Sequence, residues 1–254
     1  MWLRMRQIAG VAAELKPVEE DLIDILGIEV CYRDSGIDFF GLENALFPIG
    51  NQLLEVVAPI QENTAGGRYL DRRGGDSGYM VITQCDDHPP RRQRVEALGV
   101  RIVHDNTSNQ FINMQLHPRD TGGTFFEIDQ QLGENALERD GPWHPAGPDW
   151  QAGQRLDRVT GIKAAEIQCD DPEMVARKWA EIAETDLDLS DGTFVLAMEN
   201  ADVRFVPCMD TRPEGLGGID LEVVDRDAIL AAAEKRGKIS GENQVYLCGM
   251  RMNV

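Results

Sequence analysis

The sequence predicts an α+β fold of four β-α-β-β-β units, paired into two tandem domains with curved mixed sheets. Three observations carry this. The tetrapeptide Gln-Cys-Asp-Asp occurs at 84–87 and again at 168–171, each time after an apolar strand-like run and before a helix-like one. The same strand–cap–helix order starts twice more, near residues 7 and 219. Residues 43–47 and Gly50 can also be laid on residues 242–246 and Gly249 at a shift of 199, so the first and last units read as copies.

In the first unit, residues 7–13 form a strand and 17–26 a helix stopped by Gly27; 28–33, 42–48 and 52–58 are three more strands. In the second, the run 79–82 leads to Asp87 as N-cap and Pro89 in the first turn. A helix follows over 90–98 with Val95 and Leu98 on its apolar side, then strands at 100–105, 110–117 and 124–129. The third unit has a strand at 162–167, Asp171 as cap, Pro172, and a helix over 173–183 that turns Val175, Trp179 and Ile182 inward. Strands at 193–198 and 202–207 follow, with a less regular one before them. The fourth has a strand at 219–224, Asp225 as cap, a helix over 228–236 ending at Gly237, and strands at 243–248 and 250–254.

One such unit has an open sheet edge and half a core, so units must pair. The pairs make domains at 1–130 and 157–254, joined by a connector at 131–156 that carries Pro142, Pro145, Pro148, Trp143 and Trp150. Those tryptophans read as a lid or, the favoured reading, as the apolar seam joining the halves, because a long connector must be tied down. Residues 63–75, rich in Gly and Arg, read as a shorter linker.

The chain has 254 residues and a formal charge of 25 − 44 = −19. Such a surplus of acid repels phosphate backbones and anionic lipid, which argues against nucleic-acid and membrane partners. Five scattered cysteines without a C-x-x-C pair are neither a zinc framework nor a disulfide scaffold, and suit a reducing, cytoplasmic setting. No signal peptide or membrane span is apparent.

Strand alternation places Asn113, Gln115 and His117 on one polar face, with Met114 and Leu116 on the other. Phe125, Glu127 and Asp129 share a face, as do Leu53, Glu55 and Val57. Arg68 and Arg73, flanked by double glycines, are candidates for clamping an anion or pairing with local acids. His117 is the candidate proton carrier; it is equally suited to close the turn before Pro118. His88, His104 and His144 read as surface or structural residues.

The repeated unit, the stretch from Glu43 to Pro59 and the stretch from Leu116 to Ile128 together resemble the vicinal oxygen chelate superfamily. That superfamily includes glyoxalase I, methylmalonyl-CoA epimerase, bleomycin-resistance proteins and extradiol dioxygenases. The resemblance implies a cleft in each sheet and, in metal-bearing members, four ligands on first and last strands. It makes Glu55 and Glu127 the last-strand positions of the first domain, and Phe205 and Val254 those of the second. First-strand positions fall near Ile8 or Ala9 and near Tyr79 or Met80, with Gln7 out of phase by a residue or two. A cofactor is therefore not expected and a divalent metal is disfavoured, the alternative being that Glu55 and Glu127 are half of a metal site completed by Gln7 or His117; the second domain reads as degenerate.

The resulting expectation is a glyoxalase-like isomerase or lyase for a small polar metabolite. His117 and Glu127 would be the acid–base pair and Glu55 the supporting carboxylate; Arg68, Arg73, Asn113, Gln115 and Tyr79 would bind substrate. The alternatives are a ligand-binding protein of the resistance type and, less well supported, an iron-dependent ring-cleaving dioxygenase. The last strand could pair across a homodimer.

Overall fold

The computed structural model describes residues 1–254. The first half runs β1 (Leu3–Val11), α1 (Leu15–Leu26), β2 (Leu42–Ile49), β3 (Gln52–Pro59), α2 (Ala65–Arg73), β4 (Ser77–Cys85), α3 (His88–Ala97), β5 (Ile102–Thr107), β6 (Phe111–Leu116) and β7 (Phe125–Gln131). The second runs β8 (Val159–Cys169), α4 (Pro172–Ala183), β9 (Leu187–Ser190), β10 (Thr193–Ala197), β11 (Asp202–Pro207), β12 (Gly215–Val223), α5 (Arg226–Lys235), β13 (Ile239–Gly241), β14 (Gln244–Leu247) and β15 (Met250–Asn253).

Each half is one mixed sheet, in the order β2-β3-β1-β4-β7-β6-β5 and β13-β14-β15-β12-β8-β11-β10-β9. The first strands of two units meet antiparallel at the centre (β1 with β4, β8 with β12), and the last strand of each unit lies parallel to its first. This is the paired β-α-β-β-β architecture that the repeats predict.

Two segments differ from the sequence reading. Residues 28–33 form no strand; only Tyr32 bridges to Leu46. The Asp34 carboxylate accepts from Gly36 N, and this local bond turns the chain into a short 3-10 helix (Ser35–Phe40) instead of a ladder. Residues 63–75 contain the helix α2 rather than a linker. Thr64 caps it by accepting from Gly67 N at 2.9 Å, and Gly74 ends it at φ +74°. The glycine pair that suggested a loop instead lets the first turn lie close on β2, since a Cβ on Gly66 would stand 3.0 Å from Leu42.

The helices α1, α3, α4 and α5 cover the outer faces of the sheets, where the two halves share one apolar core, while α2 packs at the end of the inner face of the first. Trp179 of α4 stacks on Phe126 of β7, with centroids 4.1 Å apart and planes at 4°, and its Nε1 donates to Thr121 O at 3.0 Å. Backbones also touch: a Cβ on Gly249 (φ +65°) would fall 1.6 Å from Asp76 O, and one on Gly50 (φ +60°) would fall 2.1 Å from Thr160 O. Close docking of the halves leaves the inner faces of the two curved sheets for other uses.

Candidate functional site

The inner face of the first sheet carries the candidate site. Ala9, Leu53, Val57, Met80 and Ile82 form its apolar floor, and Gln7, Asn44, Glu55, Gln84, Asn113, Glu127 and Asp129 are buried on it. Gln7 reaches this face by ordinary alternation with Ala9 and Val11, and the irregularity between Met5 and Gln7 leaves Met5 on the outer face. Its Nε2 then donates to Glu55 Oε2 at 2.8 Å, while Asn44 Nδ2 donates to Glu55 Oε1 at 2.6 Å. The sequence reading counted the first-strand position to Ile8 or Ala9 and set Gln7 a residue or two out of phase, so it missed Gln7's place beside Glu55.

The connector does more than join the halves. Trp143 and Trp150 lie buried against this face, beside Leu46, Leu53 and Phe111. Trp143 Nε1 donates to Gln7 Oε1 at 3.0 Å, so the connector, Gln7 and Glu55 form one chain of hydrogen bonds. The fully buried Arg6 guanidinium sits 5.4 Å and 5.2 Å from the Trp143 and Trp150 rings and donates to Gly141 O at 2.6 Å and to Arg139 O. Burial pulls its pKa down to about 10. Arg4 holds Glu138 O at 3.0 Å and Gln84 Nε2 holds Ala136 O at 2.6 Å. The seam predicted for the tryptophans is thus also a cover over the cleft.

Two further groups bound the face. Tyr69 of α2, Tyr79 and Phe125 pack edge to face at its α2 end, and Tyr69 Oη donates to Gly123 O at 2.8 Å. Phe40 meets His104 edge-on at 5.2 Å, which brings the 3-10 turn beside β2 against the far edge strand β5 and curls the sheet around its contents. His104 faces Gln115 because a register shift between Ile102 and His104 turns it there. It stands close enough for its charge to act on Glu127, and the irregularity hid it from a strict alternation.

Burial dominates the electrostatics. Glu55 is 7% exposed, and desolvation pushes its pKa up to about 7 against the two amide donors, with the charge of Glu127 adding in the same direction. Glu127 and Asp129 lie in contact on β7, and burial drives both carboxyls upward, Asp129 further because the charge of Glu127 adds to its own desolvation. Asn113 Nδ2 approaches Glu127 Oε1 at 3.3 Å, and Gln115 faces Glu127 across the β6–β7 ladder.

The structure brings together Glu55, Glu127, Asn113 and Gln115, with Tyr79 packed at the α2 end. It does not bring His117, Arg68 or Arg73. His117 caps a 3-10 turn (Pro118–Asp120), its Nδ1 accepting from Arg119 N at 3.1 Å, and partial burial and Arg101 lower its pKa. The proline at its C-terminal side ends β6 before the histidine can share the cleft face. Arg68 is exposed and donates to Asn63 O at 2.6 Å. Arg73 is buried at the junction of the halves, donating to Ser77 Oγ at 3.0 Å and to Pro213 O. Helix formation by 65–73 points both away from the acids. His88 and His144 stay outside the acid cluster, the first at the start of α3 and the second opening a 3-10 turn in the connector.

The second sheet corrects another expectation. Counting five residues back from Glu14, Asp87, Asp171 and Asp225, which precede the four helices, gives Ala9, Ile82, Glu166 and Asp220. Their register partners on the last strands are Glu55, Glu127, Arg204 and Asn253. Phe205 and Val254 are one residue off, facing the shared core. The shift of 199 slips because Gly50 is the first residue of its two-residue turn and Gly249 the second of its own. The second cleft is therefore polar: Arg204 bridges Glu166 at 3.1 Å and Asp220 at 2.7 Å, and Arg251 holds Glu166 at 2.8 Å and Asp210 at 3.1 Å. Its cations and acids neutralise one another, whereas the acids of the first sheet have no cation partner.

No family model matches the sequence, and no curated protein does. Solved structures do. A hypothetical protein from Staphylococcus aureus superposes over 98% of both chains with a TM-score of 0.66 at 11% identity. A methylmalonyl-CoA epimerase in complex with methylmalonyl-CoA matches 52% of this chain and 97% of its own, with a TM-score of 0.47 at 20% identity. The epimerase from Mycobacterium tuberculosis matches 52% and 90%, with a TM-score of 0.45 at 23% identity. The likeness to the Staphylococcus aureus protein shows the same two-sheet α+β fold over nearly the whole chain.

The positions that the resemblance assigns to a metal do not suit a divalent ion. The first strand of the second unit offers Met80 and Ile82 to the face, neither of which donates a lone pair to a hard ion. Gln7 turns its amide nitrogen to Glu55, and its oxygen is taken by Trp143. No three His, Cys, Asp or Glu side chains gather in a metal-binding cluster.

Proposed function

We propose that the first cleft binds a small polar metabolite and moves a proton at a carbon next to a carbonyl, as an isomerase or lyase step, with Glu55 as the acid–base group. The observation that carries this is a carboxyl poised at about 7 on a buried face, fixed through both oxygens by Gln7 and Asn44. The carboxylate takes the proton, leaving an enolate and a neutral Glu55. Return of the proton by Glu55, on the same face, to the neighbouring carbon of the enediolate completes an isomerisation, and loss of a group with its bonding electrons from the next carbon completes a lyase reaction. Asn113 and Gln115 supply amide donors beside Glu127 for the substrate's oxygens. No helix is long and apolar enough to cross a membrane.

A second reading, binding without turnover, is supported by the connector: Trp143 lies over Glu55's own partner, Gln7, and substrate must displace it. Deuterium wash-in separates the two. The protein would be incubated in D2O with methylmalonyl-CoA and with a set of small hydroxy- and carboxy-carbonyl compounds, and exchange at the carbon followed by NMR. The catalytic reading expects exchange that falls by roughly 10²–10⁴ in Glu55→Gln. Saturable binding without exchange in any of them would leave the binding reading standing.

A further inference from the structure

Arg6 on β1 is a buried cation that the proposed reaction does not use. It is 0% exposed, yet no carboxylate lies within ion-pair distance of it; its neighbour Arg4 takes Glu199 at 2.9 Å, and Asp140 acts on Arg6 only as a more distant charge. Buried charges are normally paired, because an isolated one is costly to desolvate. Arg6 instead gives Nη1 to Arg139 O and Nη2 to Gly141 O at 2.6 Å, both main-chain carbonyls of the connector, and its Nε has no acceptor.

Two carbonyl oxygens on the two Nη atoms of one guanidinium stand where the oxygens of a carboxylate stand in a bidentate pair. They carry partial charge only, so a carboxylate is the stronger ligand for this fork, and Nε with Nη2 offers it a second, side-on mode. The fork also adjoins the reacting end of the cleft. Arg6 and Gln7 are consecutive, and Trp143 has its ring 5.4 Å from the Arg6 guanidinium and its Nε1 on Gln7, the partner of Glu55. Burial drives Glu127 and Asp129 toward their neutral forms, which weakens their opposition to an anion. Arg68 and Arg73, the anchors that the sequence suggested, are held elsewhere.

We propose that Arg6 is the substrate anchor of the first cleft and that its ligand is a small carboxylic acid. The carboxylate takes the place of the Arg139 and Gly141 carbonyls on the guanidinium, frees this stretch of the connector, and sets the carbon next to it on the Gln7–Glu55 side. The assignment rests on the proton-transfer reading of the cleft and names its substrate class: oxo- and hydroxy-carboxylates, rather than their neutral amides.

The test is calorimetric titration of the full chain with pyruvate and with lactate, each against its amide. The acids are expected to bind at least about tenfold more tightly than the amides, the margin of a charge-assisted pair over a neutral one. Arg6→Lys keeps the charge without the fork and is expected to cut that ratio to about threefold; Arg6→Met is expected to bring it to about one. A merely structural Arg6 would loosen the connector and change both affinities together, leaving the ratio as it was. A second readout needs no substitution at Arg6: in fluorotryptophan-labelled protein, the fluorine NMR signals of Trp143 and Trp150 are expected to move on titration with acid and not with amide, while that of Trp179 in the shared core stays. Equal affinities for acid and amide in the unsubstituted protein would overturn the anchor, as would signals that move alike with both, or an Arg6→Met variant that keeps the ratio. Carboxylate binding without deuterium exchange would leave the anchor and remove the proton transfer; exchange without any preference for acids would do the reverse.

Discussion

Gln7 gives its amide hydrogen to Glu55 at 2.8 Å and takes the indole hydrogen of Trp143 at 3.0 Å on its other end. One side chain therefore couples the ionisation of the cleft carboxyl to the position of the cover. An amide in this orientation stabilises the carboxylate form, yet burial still wins, and Glu55 ends near neutrality. That balance makes the first cleft chemically able to exchange a proton, while the second cleft is locked by its own ion pairs.

The same balance sets the response of stability to pH. Glu55 is more readily protonated in the folded chain than in the unfolded one, so folding is favoured at low pH and loses free energy as pH rises from about 4.5 to about 7. The loss from this group is about 3 kcal/mol as an upper order of magnitude. Glu127 and Asp129 are shifted the same way and steepen it. Urea unfolding of chelator-treated protein at pH 5 and pH 8 should show lower stability at pH 8, and Glu55→Gln should remove part, not all, of the difference. Stability that rises across this window would contradict the burial argument.

Replacing Trp143 probes the cover. Trp143→Phe keeps most of the packing but leaves Gln7 Oε1 without its donor, at about 1–3 kcal/mol. Trp143→Ala also empties space beside Phe111 and Arg6, at about 3–5 kcal/mol. Denaturant titrations should rank the two in that order. If the connector is an entrance rather than a fixed wall, acrylamide should quench Trp150 more readily in both variants than in the parent chain.

His117 offers a negative control. Its Nδ1 is occupied by Arg119 N, and it makes no hydrogen bond to Glu55 or Glu127. His117→Ala should cost under about 1 kcal/mol, the scale of a lost cap, and leave any carbonyl-side exchange within twofold of the parent. A fall comparable to that of Glu55→Gln would restore His117 to the site.

The fold was legible because it is repeated. The cap positions Asp87, Asp171 and Asp225, and the double Gln-Cys-Asp-Asp, set strand, helix and pairing order, since each unit can bury its core only against another. The carboxylates Glu55 and Glu127 were legible for the same reason. What escaped were the places where alternation breaks. The irregularity at Ile102–His104 turned His104 toward Gln115, and a slip of one residue in a turn hid Asn253. α2 escaped because glycines spoke for a loop while Thr64 and close packing on Leu42 favoured a helix.

Two glycines separate backbone strain from docking of the halves. Gly74 ends α2 at φ +74° with no atom within 4 Å of an added Cβ, whereas Gly249 has φ +65° and faces Asp76 O at 1.6 Å. An alanine pays the left-handed conformation at both sites, about 1 kcal/mol. Only at Gly249 must it also push β15's turn away from the start of β4, where the two halves touch. Gly74→Ala is therefore expected to lose about 1 kcal/mol in urea unfolding and Gly249→Ala more than about 4 kcal/mol, the size reserved for specific clashes. The surplus measures the docking contact, because strain is common to both. Equal losses would mean that the Asp76–Gly249 approach contributes nothing to holding the halves together.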